Sequence, residues 1–113
     1  MIIAVTAFAM PKPITREDAR NIFLSTAPKY RGVQGLVRKT YVLSEDGASL
    51  GGIYLWNSRP EAEAMFTDSW RSFVREKYRT DPTVTYFESL VVVDNVARQI
   101  LTDEQESAML PVA

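Results

Sequence analysis

Lys39, Tyr41, Tyr54 and Trp56 are the residues of this chain whose types and spacing could do chemistry together. They lie in two β-prone segments, Leu36–Leu43 and Ser49–Trp56, separated by the turn signal Glu45-Asp46-Gly47-Ala48. A four-residue loop would pair Ser44 with Ser49 in an antiparallel hairpin. That register sets Tyr41 opposite Gly52, Lys39 opposite Tyr54 and Val37 opposite Trp56. A lysine among aromatic rings on a covered sheet face can hold an anionic aromatic ligand by charge and by stacking. The same residues also have a plainer use, with the lysine stem lying over Tyr54 and the rings packing an interface. A slip of one residue would exchange the two faces and put Arg38 in the place of Lys39.

Glu88 is the second candidate. It falls between Tyr86 and Leu90 in the run Thr83 to Val93, which reads as one strand. A carboxylate buried there is either a general base or an ion-pair partner, with Arg38 as the obvious cation. Other suggestive residues have structural readings. Trp70, Phe73 and Tyr78 recur at helical spacing and read as core. Arg71, Arg75, Lys77 and Arg79 are diluted by Asp68, Glu76 and Asp81, which describes a solvated face. Gly51-Gly52 opens a strand rather than preceding a helix, so it is not a phosphate loop.

What the chain lacks is as informative. Among its 113 residues there is no cysteine and no histidine. That removes thiolate nucleophiles, Ser-His-Asp triads, zinc fingers and His-ligated haem together, so neither a metal nor a cofactor is expected. Thirteen basic against fourteen acidic side chains leave a net charge of −1, without the basic surplus of a nucleic-acid binder. A hydrophobic fraction of 46% fits one folded domain. The apolar opening, Met1 to Met10, has no positively charged start and reads as a strand, with no membrane segment anywhere. The expected location is cytoplasmic.

The elements that must position these residues follow from local signals. Ile2 to Phe8 is a strand stopped by Pro11-Lys12-Pro13. Thr15 caps a helix whose buried stripe is Ala19, Ile22, Phe23 and Thr26-Ala27, and Pro28 ends it. After the hairpin, Ser58-Arg59-Pro60-Glu61 starts a second helical segment, which Thr67-Asp68-Ser69 can re-cap into two. Asp81-Pro82 ends that segment before the last strand. The order strand, helix, strand, strand, helix, strand gives a ferredoxin-like α+β fold, with an antiparallel four-stranded sheet and its helices on one face. The first and last strands are apolar on both sides, so two sheets packing face to face in a homodimer are expected. The domain is placed at residues 1–95. Residues 96–113 form a C-terminal tail in which Val96, Ile100 and Leu101 make one apolar turn.

Gly35, Lys39, Tyr41 and the run Gly51-Gly52-Ile53-Tyr54-Leu55-Trp56 resemble the small monooxygenases of the YdhR type. These belong to the dimeric α+β barrel superfamily, alongside cofactor-independent antibiotic-biosynthesis monooxygenases. The resemblance covers Met1 to about Asn95. It implies a homodimer and a cofactor-independent monooxygenase acting on a small aromatic or enolisable substrate. The resemblance supplies the reaction class and no residue roles; on the reading of the residues themselves, Lys39, Tyr41, Trp56 or Arg38 would hold that substrate, and Glu88 or Tyr54 would manage the proton. A non-catalytic small-ligand-binding or stress-response protein, or an isomerase of the same superfamily, would use the same pocket.

Overall fold

The apolar opening segment forms strand β1 (Ile2–Ala9), and the prolines that follow it break the ladder before helix α1 (Arg16–Thr26). This is a computed structural model, and it describes residues 1–104. The Thr15 hydroxyl accepts from the Asp18 amide at 3.1 Å, with Glu17 and Asp18 at the positive end of the helix. Pro28 stops α1, and Ala27–Tyr30 continues as a single 3-10 turn. Strands β2 (Leu36–Leu43) and β3 (Ser49–Trp56) make the expected hairpin. The Ser44 amide donates to the Ser49 carbonyl at 2.9 Å, and the Asp46 carboxylate accepts from the Ala48 amide at 3.0 Å.

Helix α2 (Arg59–Met65) and helix α3 (Asp68–Tyr78) are two helices meeting at a bend. Ser58 caps the first and bonds to the Glu61 carboxylate at 2.9 Å; the Thr67 hydroxyl caps the second at the Trp70 amide. Strand β4 (Thr83–Glu88) completes an antiparallel sheet in the order β2-β3-β1-β4. This is the ferredoxin-like α+β architecture. The core lies on one face of the sheet, where Ala4, Phe8, Leu50, Tyr54 and Trp56 meet Ala62, Phe66, Trp70, Val74 and Tyr78 from the helices. Among the described residues no helix is long and apolar enough to cross a membrane.

Three details differ from the sequence reading. Leu36, not Val37, is paired with Trp56, because the register shifts between Leu36 and Arg38. The extra residue turns Leu36 against the core and leaves Val37 45% exposed, so the bulge buries the larger side chain. The run from Thr83 to Val93 is not one strand. Its ladder with β1 ends at the Ile2–Glu88 pair, and the Ser89 amide then donates to the Met1 carbonyl at 2.9 Å. Past that point the chain finds a new partner: β5 (Val91–Asp94) pairs with β6 (Gln99–Thr102) in a separate hairpin. Ile100 and Leu101 therefore lie in a strand, not in an apolar turn. Asp94 organises the connection by accepting from the Val96 and Ala97 amides at 2.9 and 3.0 Å. The expected boundary at Asn95 falls in this connection, and the tail beyond residue 104 lies outside the described residues.

Among the described residues no helix covers the second face of the sheet. Ile53 and Phe87 are 42% and 53% exposed there, and the β5–β6 hairpin adds Val91, Val93, Val96 and Ile100 as exposed apolar side chains.

Candidate functional site

Lys39 is directly paired with Tyr54 and Tyr41 with Gly52, as the hairpin register requires. Because side chains alternate along a strand, Lys39, Tyr41 and Tyr54 all point to the helix-covered face. Gly52 makes this possible. A Cβ at that position would stand 2.9 Å from the Tyr54 ring and 3.2 Å from Lys39 Cε, so the missing side chain is the space the lysine stem uses. Gly51 answers a different need, since a Cβ there would meet the Thr6 carbonyl oxygen of β1 at 2.0 Å.

The Lys39 ammonium ends among ring faces. Its Nζ lies 3.4 Å from the centre of Tyr30, 3.8 Å from Tyr41 and 4.8 Å from Tyr54. It borders a cavity of about 30 Å3 between sheet and helices, which Thr6, Phe73 and Trp70 also line. No carboxylate lines that cavity, and Lys39 forms no ion pair among the described residues. Burial, reinforced by the Lys29 ammonium, lowers the Lys39 pKa to about 7. The ring faces act in the opposite sense, since their quadrupoles favour the cation.

The tyrosines differ among themselves. Tyr41 shares a 2.7 Å hydrogen bond with the Thr26 hydroxyl and stacks on Phe23 at 4.6 Å. Burial raises its pKa, and the Thr26 bond partly offsets this. Tyr54 is 1% exposed, and burial drives its phenol far above the ordinary range. Tyr54 therefore remains a phenol and keeps an O–H proton to donate. Tyr30 accepts from the Trp70 indole at 3.4 Å and stands at the end of the 3-10 turn.

The other sequence candidates fall elsewhere. Trp56 is fully buried, packed against Tyr54 and Phe66, and does not line the cavity. Its one-residue offset from Val37 matters little; it is simply on the core side of Tyr54. Arg38 points to the uncovered face, as a neighbour of Lys39 in a strand must. Glu88 is exposed at the end of β4, opposite Ile2, so it is not the buried mid-strand base that an unbroken strand implied. Tyr30 and Thr26 were missed. Thr26 reads only as part of the buried stripe of α1, and Tyr30 carries no local signal; the fold of the Pro28 turn over β2 brings Tyr30 to Lys39, and Thr26 reaches Tyr41.

No family model and no curated protein matches the chain. Solved structures do. A monooxygenase from the gene ActVA-Orf6 of Streptomyces coelicolor, in complex with nanaomycin D, is 21% identical with a TM-score of 0.59, covering 78% of this chain and 86% of its own. SnoaB, a cofactor-independent oxygenase from Streptomyces nogalater, is 17% identical with a TM-score of 0.56, covering 78% and 91%. An antibiotic biosynthesis monooxygenase is 16% identical with a TM-score of 0.55, covering 78% and 98%. At these identities the likeness establishes the fold. It is the ferredoxin-like fold that the sequence led one to expect; the neighbours are of the antibiotic-biosynthesis monooxygenase type and do not confirm the narrower YdhR-type assignment.

The lysine's position predicts a pH-dependent cost. Its pKa is near 7 in the folded chain and 10.5 in the unfolded reference, so between those values the unfolded state binds more protons and stability rises with pH. Below about pH 7 the full cost is present. In urea denaturation Lys39→Met should therefore gain on the native protein by about 1–3 kcal/mol at pH 6, after allowance for partial solvation. That gain should shrink as the pH is raised toward 10. A gain independent of pH would place the lysine in a solvated environment.

Proposed function

We propose that this protein is a cofactor-independent monooxygenase acting on a small phenolic or enolisable aromatic substrate, with Lys39 as the catalytic residue. The observation that carries this reading is an amine set against three tyrosine faces in a cavity with no counter-ion among the described residues, its pKa lowered to about 7. The oxygenase names of several structural neighbours support the reaction class. An ionised phenol or enol is electron-rich enough to reduce dioxygen itself. One oxygen atom becomes a carbonyl oxygen on the substrate carbon, whose C–H bond is broken, and the other leaves as water with that hydrogen and the one from the hydroxyl. The substrate gives up four electrons and ends as a quinone or diketone. The protein's part is to ionise the substrate, keep water away and hold the charge.

Lys39 meets the first and third requirements in one group. As the neutral amine it accepts the substrate proton; as the resulting ammonium it stays beside the new anion and stabilises it. Tyr54, held as a phenol, donates to the developing oxyanion, and Tyr41 supplies ring contact. The cavity of about 30 Å3 holds about two water-sized molecules, enough for dioxygen but not for an aromatic ring. The substrate therefore enters by displacing Tyr30, which sits on a short turn rather than in a helix or strand.

The uncovered sheet face belongs to the same reading. Exposed Ile53 and Phe87, with Ile3, Val5 and Leu55 between them, make an apolar surface suited to a second copy in a cytoplasmic homodimer.

Two measurements test these statements. With a panel of phenols and hydroxynaphthoquinols, oxygen uptake should rise with pH through about 7, and Lys39→Met should lower it by roughly 10²–10⁴-fold. Binding without oxygen uptake in the native protein would support a ligand-binding role instead. Light scattering should give the mass of a dimer for the native protein and of a monomer for Phe87→Asp. A native monomer would refute the dimer.

A further inference from the structure

Helix α1 crosses β2, the edge strand of the sheet, and leaves a groove of about 330 Å3 between them. Its walls are Phe23, Leu24, Tyr41 and Leu43, with Arg16 and Arg20 along the rim. The volume lies at the lower end of the range for small-ligand pockets, about 300–1,000 Å3. Arg16 and Arg20 are four residues apart on one helix, so their guanidinium groups share a face. Neither forms an ion pair among the described residues, and no acidic side chain lines the groove. Arg16 also stands in the first turn of α1, where the helix dipole opposes a cation. The position thus gains nothing from helix stability. Leu24 is 63% exposed beside them, an apolar side chain left in water next to two unpaired cations.

We propose that this groove is a binding site for aromatic carboxylates. The ring lies against Phe23, Leu24 and Leu43, and the carboxylate sits between Arg16 and Arg20. Planar guanidinium forks match a carboxylate in both charge and geometry. The apolar wall selects a flat ring over a small anion such as acetate. Phe23 and Tyr41, stacked on each other, line both this groove and the inner cavity, so the groove is also the outer wall of the Lys39 site. The ligand class follows from the groove residues alone and stands whether or not the cavity oxygenates.

Calorimetric titration with 2-naphthoate and its neutral counterpart 2-naphthylmethanol tests this. The folded native protein should bind 2-naphthoate about tenfold or more tightly than the alcohol. The double variant Arg16→Gln/Arg20→Gln should reduce naphthoate to the affinity of the alcohol and leave the alcohol unchanged. Leu24→Gln should weaken both, and Lys39→Met should leave naphthoate binding as it was. Equal affinity for acid and alcohol, unchanged naphthoate binding in the double variant, or no binding of naphthoate at all would overturn the proposal. Loss of naphthoate binding in Lys39→Met alone would also overturn it, by moving the ligand into the inner cavity.

Discussion

An amine enclosed by aromatic rings without a carboxylate to neutralise it is the constraint on which the rest of this structure depends. Taking an ammonium out of water costs several kcal/mol, and ring faces return about 0.5–2 kcal/mol each. Among the described residues Lys39 has three such faces and no anion, so the balance leaves its charge marginal near neutral pH. A group in that condition can be relieved in two ways. It can lose its proton, or a ligand can bring the missing negative charge. A phenol or enol that gives up a proton to the lysine does both at once.

The fold supplies this arrangement with few parts. Pairing Lys39 with Tyr54 fixes both on the covered face, and Gly52 clears the path for the lysine stem. The proline-terminated end of α1 lays Tyr30 over the amine, and α3 brings Trp70 to hold Tyr30 by its hydroxyl. The sheet is asymmetric as a result. One face carries the helices, the core and the cavity, while the other keeps exposed apolar side chains.

Much of this was legible in the sequence because its signals are local. Thr15, Ser58 and Thr67 each cap the helix that follows them, and the four-residue turn fixes the Lys39–Tyr54 register. The illegible parts depend on neighbours distant in sequence. Nothing around Glu88 shows that β1 stops pairing at Ile2, so the strand was read through to Val93 and the carboxylate as buried. The bulge at Val37 reflects which side chain the core can bury, a choice that alternation alone does not make. Trp56 has the right type and spacing for a pocket wall, yet Tyr54 and Phe66 screen it from the cavity. Tyr30 carries no motif; it matters only because the chain after α1 folds back over the second strand.

The charge state of Lys39 is the centre of this account, and it can be observed directly. In protein labelled with 13C at lysine Cε, the Lys39 resonance is assigned as the signal missing from Lys39→Met and followed through a pH titration. The structure predicts a midpoint of about 7, well below the ordinary lysine value of 10.5. A midpoint near 10.5, the ordinary lysine value, would show a solvated ammonium and contradict the proposed role.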